Sequence, residues 1–156
     1  AKAAIVAGIA LLTTALGAKP ATKKIWIPDA LFANEHNLLS GLVFGDGVFV
    51  NAYQIGVTAF GNAGSGTNAR YAAEIMGIES VHRALALQSL GKAGNDQAFA
   101  SGSTKYFTKI EHAVALLQGA GFGFGAKGKG PGKFYEFDKI KKQTLKRPAV
   151  HQLKPH

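Results

Sequence analysis

The sequence predicts an all-α protein, an incomplete helical bundle followed by an irregular basic C-terminal tail. Apolar residues recur near the 3.6-residue period over long stretches. Glycine and proline punctuate the chain where those stretches end. Hydrophobic residues form 47% of the 156, enough for a core and too many for global disorder. The chain has no cysteine, which excludes a disulfide framework, a thiolate nucleophile, a zinc knuckle and a cysteine-held iron–sulfur cluster.

Two parts are expected: a partial bundle over residues 1–126 and a Gly/Lys-rich tail over 127–156. Charge separates them. The net charge is +9. Nine basic residues against two acidic ones give residues 127–156 a net +7, and residues 1–126 carry only +2. A basic arm of this kind is a solvated tail or a docking strip for an acidic partner. Nothing matches a helix-turn-helix, a zinc finger or an RNP-type aromatic strand, so nucleic acid is not the expected partner.

Residues 1–18 (AKAAIVAGIALLTTALGA) are apolar behind Lys2. They read as a signal-peptide hydrophobic region or as a bundle helix stopped by Gly17 and Pro20, and the helix is preferred. The run is shorter than the ~20 apolar residues of a membrane span. Residues 19–30 (KPATKKIWIPDA) form a linker anchored by Trp26 and Ile27, with Asp29 as the N-cap of the next helix. Leu31 to Phe60 is one long helix with Leu38, Leu42, Phe49, Ala52 and Tyr53 in period. Gly41, Gly45, Gly47 and Gly56 inside it imply close packing or a break, since each costs ~1 kcal/mol relative to Ala. Residues 61–68 (GNAGSGTN) are a loop. Ala69 to Leu90 is the clearest helix, with Ile75, Glu79, His82 and Ala86 on one stripe and Gly91 closing it. A loop over 92–103 leads to a helix from Tyr106 to Gln118, burying Phe107, Ile110, Val114 and Leu117. Residues 119–133 are a glycine-rich connector, and FYEFDKI (134–140) alternates as an extended segment.

The most informative constellation is Glu79-Ser80-Val81-His82. Glu and His three apart on a helix point the same way. In bundles such a pair is part of a di-iron carboxylate site, where two helices each give a Glu-x-x-His and two others each give a Glu. The plainer alternative is a hydrogen-bonded Glu–His pair with no metal. Other patterns carry less. Gly123-Phe124-Gly125-Ala126-Lys127-Gly128 matches GxGxxG but follows a helix, outside the βαβ context that gives the motif meaning. There is no P-loop and no nucleophile-elbow pattern. Glu35, His36 and His112 are expected on exposed helix faces.

From about Trp26 to Ile140 the chain resembles the bacterial ferritin-like domain proteins related to plant desiccation-associated proteins. IPDALFANEHNLLSGLVFGDGVFVNAYQIG is similar to that family's third bundle helix. ARYAAEIMGIESVHRALALQSLG is similar to the fourth, whose Glu-x-x-His falls at Glu79 and His82. NDQAFA, Phe107 to Gly121 and FYEFDKI resemble the end of the domain, and AIVAGIALLTTALGAKP resembles the end of the second helix. The resemblance implies an incomplete ferritin-like four-helix bundle without its first helix. It implies metal ligands at Glu79, His82 and Asp46, with iron or manganese as the ion. The family's Glu before the Asp is here Gly45, and residues 1–18 contain no Glu or His. The metal site is therefore expected to be vestigial, with no catalytic residues and no enzyme activity.

Three functions stand as expectations. The first is a non-catalytic structural or assembly subunit, a homo-oligomer or part of a larger complex whose partner fills the groove of the missing helix. The second is a metal-binding ferritin-like protein with a partial site. The third is an anionic-surface or nucleic-acid binder acting through the basic tail. The resemblance also favours a secreted or cell-envelope location.

Overall fold

The computed structural model describes residues 19, 21–96 and 106–144. The expectations for residues 1–18 and for 145–156 lie outside the described residues. The chain is mostly helical, as its periodicity predicts, with a three-stranded sheet that the all-α reading omits.

Strand β1 (Lys24–Pro28) begins the described fold and leads into a 3-10 turn at Asp29–Phe32. Helix α1 runs Glu35–Asn62 and α2 runs Gly66–Ser89. They are joined by a tight turn in which Gly64 takes φ +70. Helix α3 is Ile110–Gly119, strand β2 is Gly123–Phe124, strand β3 is Gly132–Glu136, and helix α4 is Phe137–Thr144. The strand order is β2-β1-β3, with both pairings antiparallel.

Several boundaries depart from the sequence reading. Asp29 does not cap α1. Asn34 does, its side chain accepting from the Asn37 backbone N–H at 2.8 Å, so the helix starts at Glu35 and not at Leu31. The stretch read as a linker contains β1, and the glycine-rich connector contains β2. FYEFDKI divides into the end of β3 and the start of α4, so it is not one extended segment and residues 132–144 are regular. Helix α3 starts at Ile110 and buries Ala113 and Leu117 with Phe107 before it; Ile110 and Val114 are exposed.

Helix α1 is unbroken over 28 residues despite its glycines. Two of them meet α2: a Cβ at Gly56 would lie 3.8 Å from that of Ala72, and one at Gly47 3.7 Å from Arg83 Nε. One side of α1 packs on α3 through a core of Val48, Phe107, Ala113 and Leu117, joined by Phe44, Ile55, Phe122 and Phe124. Val48 is fully buried. Asn51 is 2% exposed and donates from Nδ2 to the Phe107 carbonyl at 2.6 Å, holding the chain ahead of α3 against α1. By length and mean hydropathy α1 is apolar enough to cross a membrane, the one such helix among the described residues. Its buried residues are Gly45, Asp46, Val48 and Asn51, and it contacts both α2 and α3.

Helix α2 ends where the sequence places its stop. Gly91 takes φ +72 and Lys92 N–H returns to the Leu87 carbonyl at 2.9 Å. The Arg83 guanidinium then pins the following loop by donating to the Asp96 carbonyl at 2.8 Å.

Phe124 shares its sheet face with Ile25 and packs on the helical core, so the Trp26 face looks away from the helices. Trp26 pairs in register with Phe134, its ring meeting Phe134 edge-on at 5.2 Å. The segment after β2 folds over the indole. A Cβ at Gly128 or Gly132 would lie 2.6 or 2.8 Å from the Trp26 ring, so glycine there is a steric requirement.

Candidate metal centre

Each candidate ligand comes from a different turn of the α1–α2 hairpin. Asp46 lies near the middle of α1. Glu79 and His82 lie one turn apart on α2, on the stripe whose ends, Ile75 and Ala86, are buried. The hairpin brings one donor atom from each of the three side chains within 4.8 Å of the others. His82 Nδ1 stands 3.3 Å from Glu79 Oε2, and the two side chains are only 14% and 12% exposed. Glu35, His36 and His112 are exposed and stand outside this cluster.

The electrostatics of the pocket centre on Asp46. Burial pushes its carboxyl from 3.8 up to about 7, the negative charge of Glu79 adds to the rise, and Arg83 opposes it. The residue is 6% exposed, and among the described residues no donor reaches its Oδ2. A buried carboxylate oxygen without a partner is costly, and a second carboxylate nearby makes it more so. The site therefore has two ways to settle: a proton on Asp46, or a cation shared among Asp46, Glu79 and His82.

Two further residues shape the pocket. Tyr53, two turns after Asp46 on α1, has its phenol pushed up by burial and then by Glu79. Arg83 supplies the positive charge that limits the repulsion between the two carboxylates. Sequence reasoning placed Tyr53 only among the apolar positions, although its seven-residue spacing from Asp46 already puts both on one face. Arg83 carried no signal beyond adjacency to His82.

Two carboxylates and one imidazole suit a borderline or hard divalent ion such as iron(II), manganese(II) or zinc(II). The set fits one ion and does not fit two. A di-metal bundle site uses about six side chains. The position before Asp46 is Gly45, which offers no donor, and no other His, Asp or Glu joins the cluster among the described residues.

No protein-family model, no curated protein and no solved structure matches the chain.

Proposed function

We propose that the chain is a metal-binding helical protein, built on a degenerate ferritin-like bundle, that holds a single divalent ion between α1 and α2. Asp46, Glu79 and His82 are its ligands. The observation that carries this reading is the buried Asp46 carboxylate, whose Oδ2 has no partner among the described residues, with one of its oxygens within 4.8 Å of a carboxylate and an imidazole. A cation there gives that oxygen its missing partner and offsets the burial, and then the Glu79 charge, that lift the Asp46 pKa. The ion supplies positive charge and open coordination positions. The protein supplies a buried setting, with the imidazole oriented by Glu79. Elemental analysis of the purified protein, and titration of metal-free protein with manganese(II) or cobalt(II), should give one equivalent, lost in Asp46→Asn and His82→Gln. Stoichiometry far below one equivalent in protein that remains folded would overturn the reading.

A second reading is supported by the surface of α2. Ile78, Val81 and Leu85 form a stripe at 3-4 spacing and are 39%, 57% and 56% exposed. Contiguous exposed apolar surface marks interaction sites. On this reading the chain is a structural subunit of a homo-oligomer or larger assembly, and light scattering should show a mass above that of one chain. A monodisperse monomer that stays monomeric at high concentration would end it.

A further inference from the structure

The lysines of the small sheet are organised, and their arrangement is separate from the metal pocket. Lys24 lies 4.3 Å from the centroid of the Phe134 ring, Lys127 lies 5.2 Å from that of Trp26, and Lys133 lies 5.4 Å from that of Tyr135. Lys24, Trp26 and Phe134 share the outer face of the sheet, and Lys127 reaches that face from the glycine loop. Lys133 and Tyr135 pair with Ile27 and Ile25 and so lie on the opposite face, at the edge strand β3, outside this cluster. Each ammonium is held by a ring and still exposed to solvent. Over residues 19–33 and 121–144, nine lysines face three acidic residues, a net +6. One of those acids, Glu136, is already paired with Lys139 at 3.1 Å.

We propose that this outer face of the sheet is a docking surface for a bilayer of anionic phospholipid. Three features select lipid over single-stranded nucleic acid. The aromatic rings are not free stacking platforms, because Phe134 has Lys24 over it and the edge of Trp26 against it, and Trp26 is itself only 8% exposed. All nine cations are lysines, compact point charges without the guanidinium fork that reads phosphates and bases bidentately. The covering loop is glycine-rich, so little side-chain bulk separates the lysines from a flat surface. Phe134, 37% exposed at the centre of the cluster, is placed to rest among headgroups.

Each lysine close to an anionic bilayer contributes about fivefold in partitioning. The test is co-sedimentation of the full chain with vesicles of phosphatidylcholine alone or mixed with phosphatidylglycerol. Binding should require phosphatidylglycerol and weaken as salt rises. The double variant Lys24→Gln, Lys127→Gln should lose roughly twenty-five-fold in partitioning with its circular dichroism spectrum unchanged. The hairpin variant Arg70→Gln, Lys92→Gln should bind as the parent does. Equal binding to phosphatidylcholine alone would overturn the proposal. So would full retention by the sheet variant together with loss in Lys146→Gln, Arg147→Gln, Lys154→Gln, because the surface would then lie in the final residues. A single-stranded oligodeoxythymidylate that strips the protein from vesicles at matched phosphate concentration would overturn it in favour of nucleic acid.

Discussion

The helical hairpin and the small sheet handle charge in opposite ways. Residues 34–96 carry five acidic residues against three basic ones, a net −2, and bury two of the acids against each other beside His82. Residues 19–33 and 121–144, which hold the sheet and its loop, carry a net +6, and Lys24 and Lys127 rest their ammonium groups on aromatic rings at the surface. Buried charge is tolerated only when something compensates it, and the hairpin leaves one oxygen uncompensated. Exposed charge needs no partner and adds little stability by itself. On the proposed readings the hairpin takes a tightly held small cation, and the sheet takes a diffuse, salt-sensitive partner.

The largest effect is expected at Trp26. Replacing it with Ala removes the ring on which the glycine loop packs and should cost about 3–5 kcal/mol in urea denaturation. If the loss is below about 1 kcal/mol, the sheet is not a packed unit and the contrast with the hairpin fails.

Next in size is Asp46→Asn. It should lower metal affinity by at least a hundredfold in calorimetric titration, as expected when one of three ligands loses its charge. The same residue fixes a pH dependence. Its folded-state pKa of about 7 lies above the ordinary 3.8, so the folded protein holds this proton more tightly than the unfolded chain does. That contribution to the stability of metal-free protein is complete below about pH 4 and lost as pH rises through about 7. Thermal melts of metal-free protein should fall across this window, and Asp46→Asn should flatten the decline. Metal affinity should move the other way and increase with pH, because the ion competes with the proton. A parent protein whose melts decline no more steeply than those of Asp46→Asn would mean that the Asp46 carboxyl is solvated.

Asn51→Leu comes third. It leaves the Phe107 carbonyl without its donor in a buried setting and should cost about 1–3 kcal/mol. The smallest effect is expected at the start of α1. Asn34→Ala removes the N-cap and should cost about 1 kcal/mol, with metal binding unchanged since Asp46 lies three turns further on.

The hairpin was largely legible in the sequence and the sheet was not. Apolar period, the closing glycine and the Glu-x-x-His spacing are local signals, and both helices exist where those signals put them. However, α1 starts four residues later, and the two helices take up most of the 61–68 stretch read as a loop, leaving only 63–65 between them. Asp46 was named beside Glu79 and His82 by resemblance; their proximity is a property of the folded hairpin. Strand β1 hid because KIWIP is too short for an alternation to stand out, ends in a proline and follows another at Pro20. Its partner β3 lies more than a hundred residues on, and no local pattern encodes a pairing at that separation. The glycine run looked like a flexible connector because the reason for its glycines is a tryptophan far away in sequence. Helix α4 was missed because its first residues continue the aromatic alternation of β3. The cap moved from Asp29 to Asn34 because Asp29 begins a separate 3-10 turn that ends at Phe32, and Asn34 is the residue whose side chain meets the first turn of α1.

Trp26 is the chain's one tryptophan, and it sits inside the sheet under a lysine. Its fluorescence therefore reports on the sheet, while far-ultraviolet circular dichroism is dominated by the hairpin. The molecule carries two independent optical reporters, one for each of its contrasting halves. If they melt together, hairpin and sheet are one cooperative unit. If the indole signal departs first, the sheet can let go of the hairpin while the pocket around Asp46 stays closed.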